Sequence, residues 1–291
     1  MPASAPSRSE IPVISSIAPF AAETDAWFVD IWGVMHNGVR PFMPAAAACE
    51  AFRKQGGAVI LVSNSPRPGP RVADQLDGIG VPRAAWDRIV SSGDVARALI
   101  AEHAGQTVYH IGPGRDLPIF EGLGVALGAP DEAVAIVCTG LFDDEREAAE
   151  DYAPRLAEAA ARKLPMICAN PDLTVERGGR IIPCAGAVAA VYERLGGQVA
   201  YAGKPYPPIY ASAFGLAHEL LGRDPETARV LAIGDGVRTD IAGAAAAGIR
   251  SVFIASGVHV GAGAELDAAT LGALFADTHG APVAAMTALA W

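Results

Sequence analysis

Apolar residues fall into two kinds of segment along this chain. Short unbroken runs stop abruptly at a polar or glycine-rich turn. Trp27-Phe28-Val29 stops at Asp30, Ala58-Val59-Ile60-Leu61-Val62 at Ser63-Asn64-Ser65, and Val230-Leu231-Ala232-Ile233 at Gly234-Asp235. Runs that are apolar at every position predict strands buried on both faces, as parallel sheets require. Similar strands are predicted at 88–90, 107–111, 133–139, 165–169 and 199–203. Between them lie amphipathic or Ala-rich stretches. These predict helices over about 45–55, closed by Gly56-Gly57, and over 71–78, 95–103, 144–162, 186–195 and 241–247. Ser91-Ser92-Gly93-Asp94 reads as a helix start, with Ser92 or Asp94 as the cap. The acidic run 143–147 reads as a solvated helix start favoured by the dipole. Strand–helix alternation of this kind argues for an α/β fold with a doubly wound, Rossmann-like parallel sheet.

The polar ends of the strands carry the chemistry. Asp30 follows one strand, Ser63 and Asn64 a second, Lys204 a third, and Asp235 and Asp240 a fourth. In parallel strands side by side, these groups reach the same edge of the sheet, where open α/β sheets bind ligands. A lone Asp after a strand is usually a turn residue or a cap. Four such ends in register point to a site instead. Carboxylates brought close together repel unless a cation lies between them, and oxygen ligands suit Mg²⁺. A carboxylate beside a cation can attack phosphorus and form an acyl phosphate that water hydrolyses. The chemistry-bearing ends lie at 30 and 63–64 on one side of the middle block and at 204 and 235 on the other. The predicted organisation is therefore a core of residues 1–95 and 201–291, interrupted by an inserted α/β domain over 96–200.

Composition narrows the classes. Of 291 residues, 51% are hydrophobic and 19% charged, which supports a sizeable core rather than disorder. The net charge of −10 disfavours nucleic acid or an anionic membrane as partner. A small anionic ligand in a locally positive site stays compatible with it. Cys49, Cys138, Cys168 and Cys184 show no C-x-x-C spacing. They fit a reducing compartment, and the cytoplasm is the expected location. No apolar run approaches the roughly 20 residues of a membrane helix. Residues 1–10 are polar and Pro/Ser-rich and read as a tail rather than a signal peptide. Gly112-Pro113-Gly114-Arg115-Asp116-Leu117 has the look of a dinucleotide loop. It lacks the third glycine and the downstream acid, so a dinucleotide is not expected there.

Five segments in order carry a family resemblance. They are Asp30-Ile-Trp-Gly-Val-Met-His-Asn-Gly38, Leu61-Val-Ser-Asn-Ser65, Asn170-Pro-Asp172, Gly203-Lys-Pro205 and Gly234-Asp-Gly-Val-Arg-Thr-Asp240. The set resembles the haloacid dehalogenase (HAD) superfamily of aspartate-nucleophile hydrolases. The length and position of the insert resemble the class IIA subfamily with a large α/β cap, the NagD-like and pyridoxal phosphate or phosphoglycolate phosphatases. The resemblance implies Mg²⁺-dependent hydrolysis of a small phosphate monoester through an aspartyl-phosphate. It makes Asp30 the nucleophile and a metal ligand. Ser63 and Asn64, with the turn at Gly33, would hold the phosphoryl group, and Lys204 would bridge it to Asp30. Asp235, with Asp240 in support and the backbone carbonyl of Trp32, would complete the metal set. Asn170 and Asp172 would lie near the substrate, and the cap would close over it and set specificity. A homodimer through the cap is left open. Sugar phosphates, nucleotides, phosphoglycolate and pyridoxal phosphate all stay open as substrates.

One position departs from the family pattern. Family phosphatases usually carry a second Asp two residues after the nucleophile, which protonates the leaving oxygen. Here that residue is Trp32, whose indole N–H cannot exchange a proton at neutral pH. His36 titrates in the right range and is a candidate substitute. Two rivals follow from the departure. One is a metal- and phosphate-binding protein of low turnover with a regulatory role. The other is a halide-releasing hydrolase, against which Asp235 and Asp240 argue because that chemistry has no use for Mg²⁺.

Overall fold

The computed structural model describes residues 11–177, 180–255, 266–278 and 280–291. The tail expected over 1–10 lies outside them. In chain order the strands are β1 (Ala26–Val29), β2 (Ala58–Ser63), β3 (Arg88–Ser91), β4 (Thr107–Ile111), β5 (Ala126–Leu127), β6 (Ala135–Cys138) and β7 (Pro165–Cys168). There follow β8 (Thr174–Arg177), β9 (Arg180–Pro183), β10 (Gln198–Tyr201), β11 (Val230–Gly234), β12 (Arg250–Ile254) and β13 (Ala284–Met286). Two compact units result. Among the described residues, unit 1 comprises those within 11–63, 73–89 and 210–291, and unit 2 those within 64–72 and 90–209. These units divide at 63/64, 72/73, 89/90 and 209/210, whereas the sequence suggested 95/96 and 200/201.

Unit 1 is built on a six-stranded sheet in the order β13-β12-β11-β1-β2-β3. From β1 the chain adds β2 and β3 on one side, and β11, β12 and β13 on the other. β1 and β11 therefore flank the point where strand order reverses. Right-handed crossovers put the connecting helices on opposite faces either side of such a point, which opens a crevice at the strands' carboxyl ends. β1, β2 and β11 are buried along their whole length, which explains their unbroken apolar sequences. Beside β1 the core holds Trp27 stacked on Phe52 at 4.0 Å. The Trp27 indole N–H donates to Thr24 Oγ1 at 2.9 Å, so its one polar atom is satisfied. No described helix is long and apolar enough to cross a membrane.

Unit 2 carries a five-stranded sheet, β10-β7-β6-β4-β5, with every pair parallel. A core of Ile136, Met166, Leu156, Val188 and Tyr192 packs beside it. β8 and β9 form a separate antiparallel hairpin.

Four local expectations are corrected. The helix expected over 144–162 begins only at Ala153, after a 3₁₀ turn at Ala149–Tyr152. Pro154 is the cause: it has no N–H to give a carbonyl one turn earlier and tolerates only the first turn of a helix. The acidic run 143–147 is accordingly a turn, in which Asp143 N–H donates to Glu147 Oε2 at 2.9 Å. The expected Ala-rich helix is Ala242–Ala246, preceded by a π-turn over Val237–Ile241. The cap of the helix Ser92–Ala101 is Ser91, whose side chain accepts from Asp94 N while Asp94 accepts from Ser91 N, a reciprocal capping box.

Candidate active site

β1 lies between β2 and β11 with Val29 opposite both Leu61 and Ile233. That register brings Asp30, Ser63 and Asp235 to one edge of unit 1. Asp30 N–H still donates to Ile233 O at 2.8 Å, after which the chain turns away. Oxygens of Asp30, Asp235 and Asp240 lie within 4.8 Å of one another. All three residues are buried, at 8%, 8% and 6% exposure. Three carboxylates this close and this buried repel one another, and a cation among them relieves that repulsion. The donor set is oxygen only, which selects a hard divalent ion such as Mg²⁺ or Ca²⁺.

The surrounding glycines are shaped to the carboxylates. Gly33 has φ +85°, and a Cβ there would fall 2.1 Å from Asp235 Oδ2. A Cβ at Gly234 would fall 2.1 Å from Asp240 Cγ. Asp240 is held in its turn by Gly236 N–H, which donates to Oδ2 at 3.0 Å. The backbone thus comes too close for any side chain, and the cradle suits a bare ion. The N–H of Gly33 is given to His36 O at 2.9 Å.

Trp32 is half-buried between His36 and Gly38. Its ring meets the His36 imidazole edge-on, at 5.2 Å and 78°. Gly38, at φ +85°, leaves room for the indole, since a Cβ there would fall 2.4 Å from a ring carbon. His36 is 1% exposed, and burial pulls its pKa down to about 4. Its Nδ1 accepts Gly38 N–H at 2.9 Å, which fixes the proton of the neutral ring on Nε2. The idea of His36 as a donor titrating near neutrality is therefore overturned by its burial.

The same burial has a consequence for stability. Between the ordinary pKa of 6.5 and the folded value near 4, the unfolded chain takes up a proton that folded His36 refuses. Stability therefore falls as pH drops through that window, by on the order of 2–4 kcal/mol by its lower end. Thermal melts from pH 7 to pH 4 should show His36→Asn losing less stability than wild type. Parallel losses would mean the ring is protonated in the folded protein.

In unit 2, Asn64 joins segments far apart in sequence. Its Nδ2 donates to Asp172 Oδ1 at 2.8 Å and to Lys204 O at 3.0 Å, and its Oδ1 accepts Lys204 N–H at 2.7 Å. Asn170 Oδ1 in turn accepts Asp172 N–H at 3.0 Å, forming an Asx turn. A Cβ at Gly203 would fall 2.4 Å from Asn64 Oδ1, so the loop needs glycine there. Lys204 is 3% exposed. Asn64 and Asp172 thereby hold the Lys204 backbone in one place. Local pattern gave no signal of this clamp, because its partners stand 108 and 140 positions from Asn64.

Comparison with known proteins agrees with this geometry. Residues 27–126 match a family model described as haloacid dehalogenase-like hydrolase, and residues 201–279 match one described as HAD-hydrolase-like. An acid sugar phosphatase of Staphylococcus saprophyticus is 28% identical over 236 residues, covering 80% of this chain and 87% of that protein. The ribonucleotide monophosphatase NagD of Escherichia coli is 27% identical over 236 residues, covering 79% and 86%. The crystal structure of a haloacid dehalogenase-like hydrolase from Brucella suis superposes with a TM-score of 0.84 at 44% identity, over 95% of this chain and all of that one. With this identity across whole chains and the carboxylates at the sheet's switch point, the chain belongs to the haloacid dehalogenase-like hydrolase family.

Proposed function

We propose that the protein is a phosphatase that hydrolyses a small phosphate monoester with Asp30 as nucleophile. The observation that carries this reading is the buried trio Asp30, Asp235 and Asp240, with oxygens within 4.8 Å at the point where strand order reverses. Asp30, Asp235 and Asp240, with the Trp32 carbonyl, would hold Mg²⁺. When bound, the ion neutralises the clustered carboxylates and the charge of a phosphoryl group.

The chain's own residues do the rest. An Asp30 carboxylate oxygen attacks phosphorus. The bond from phosphorus to the organic oxygen breaks, and that oxygen leaves with the electron pair and takes up a proton. Water then attacks phosphorus, the bond to Asp30 breaks, and inorganic phosphate leaves with the carboxylate restored. Ester and water become alcohol and phosphate. Ser63 donates its hydroxyl to the phosphoryl group, and Lys204 supplies positive charge to it. Asn64 and Asp172 act on the reaction by holding Lys204.

The test is release of inorganic phosphate from p-nitrophenyl phosphate and a panel of phosphorylated metabolites, with Mg²⁺ and after chelation. Chelation should cost at least about a hundredfold in rate. Hydrolysis unaffected by chelation would remove the metal from the reading. Phosphate and Mg²⁺ binding without release from any ester would favour the low-turnover rival.

A further inference from the structure

Three polar side chains of unit 2 play no part in the chemistry above. His110 lies near the end of β4, Asp116 lies in the turn beyond that strand, and Thr139 follows β6 directly. β4 and β6 are neighbours, with Ile111 opposite Cys138, so Thr139 comes to lie beside Gly112. His110 Nε2 is 2.9 Å from Thr139 Oγ1, and the Asp116 carboxyl lies near enough to the Thr139 hydroxyl to feel its polarity. Thr139 and Asp116 are 3% and 5% exposed. Gly112 gives way to the cluster: a Cβ there would fall 2.0 Å from Thr139 Oγ1 and 2.7 Å from His110 Nε2.

The cluster is short of donors. A buried carboxyl ordinarily takes a basic partner or several N–H groups. Among the described residues the Thr139 hydroxyl is the polar side chain that stabilises the Asp116 carboxylate at close range, while Arg115 and Arg67 act on it through charge. Arg115 is engaged with Asp144 at 2.5 Å. Burial accordingly raises the Asp116 pKa. A carboxylate can accept about four hydrogen bonds. With Nε2 protonated, His110 donates to Thr139, whose own hydroxyl proton is then free to turn toward Asp116, and the acceptor positions of Asp116 beyond it suit hydroxyl donors from a ligand.

Position says which ligand. The sheet of unit 2 presents Lys204 beyond β10, Asp172 beyond β7, Thr139 beyond β6 and Asp116 beyond β4. All stand at the carboxyl ends of parallel strands, where such sheets bind ligands. From β10 to β6 is two strand spacings, roughly 9–10 Å. A phosphoryl group at Lys204 joined to a sugar-sized carbon skeleton covers that span.

We propose that Asp116, Thr139 and His110 form a hydroxyl-recognising subsite of unit 2, which selects phosphate esters of polyhydroxylated, sugar-sized alcohols over aromatic ones. The inference rests on the phosphatase reading for its phosphoryl end.

The test compares wild type with Asp116→Asn, Thr139→Val and Thr139→Ser on D-glucose 1-phosphate, D-ribose 5-phosphate and p-nitrophenyl phosphate. Asp116→Asn is nearly isosteric, and Thr139→Ser keeps the hydroxyl. For Asp116→Asn and Thr139→Val, KM for the sugar esters should rise roughly 10- to 100-fold. Values for p-nitrophenyl phosphate should stay within about twofold, and Thr139→Ser should behave as wild type on all three. Equal losses on all three esters would reduce the cluster to a structural element and overturn the proposal. Unchanged KM for both sugar esters would overturn it too. If wild type hydrolyses none of the three, the phosphatase reading falls. The subsite is then judged by calorimetric binding of D-ribose 5-phosphate. Weaker binding in Asp116→Asn upholds it, whereas equal affinity, or no binding by wild type, overturns it.

Discussion

Asp30→Asn is expected to lower phosphate release by about 10⁴-fold or more while leaving the fold intact. The amide fills the same space but has no anionic oxygen to attack phosphorus. Its effect on stability has a predictable sign. Asp30 is one of three buried carboxylates with oxygens within 4.8 Å. Removing one charge relieves repulsion in the metal-free protein, so the melting temperature without Mg²⁺ should hold or rise. The stabilisation conferred by added Mg²⁺ should shrink at the same time, since a proposed ligand has lost its charge. A folded Asp30→Asn protein with wild-type turnover would mean that another group attacks phosphorus.

The second large effect is a steep dependence on the leaving group. The residue two places after the proposed nucleophile is Trp32, whose indole N–H is not given up at neutral pH, and burial lowers the pKa of His36, whose Nδ1 is already engaged. The leaving oxygen must then depart with little help. Aryl and acyl phosphates should turn over far faster than alkyl phosphates, read as kcat. Trp32→Asp restores a carboxyl and should speed alkyl esters by about 10²–10⁴-fold relative to Trp32→Ala, with little gain on aryl esters. The Ala variant serves as the control, because both substitutions empty the space between His36 and Gly38. Similar kcat values for alkyl and aryl esters in wild type would show that a proton donor exists elsewhere. Leaving-group sensitivity is read in kcat and hydroxyl recognition in KM, so both properties can hold in one enzyme.

Much of the fold is legible because buried parallel strands leave an unmistakable trace. β11 follows the apolar run Val230–Gly234, and β1 and β2 end at or beside Asp30 and Ser63. The carboxylate trio is legible for the same reason, since strand ends and site residues coincide in such sheets. What escaped depends on non-local or steric facts. The helix expected from 144 onward starts at Ala153 because one proline forbids an earlier start. The turn at Val237–Ile241 replaces the first turn of a helix and carries Asp240 back toward Gly236. Asn64 looked like a ligand-binding amide, and its bonds to Asp172 and Lys204 join stretches that no local pattern connects. His36 reads as a loop histidine, and its burial, with the Trp32 ring edge-on against it, is a non-local fact.

The central claim is a covalent phosphoryl group on Asp30, and rapid acid quench tests it most directly. Wild type mixed with a ³²P-labelled aryl phosphate and Mg²⁺, quenched during turnover and digested, should yield a base-labile phosphorylated peptide containing Asp30. The same peptide from Asp30→Asn should carry no label. Turnover without label on any peptide under these conditions, or label on a residue other than Asp30, would contradict the account.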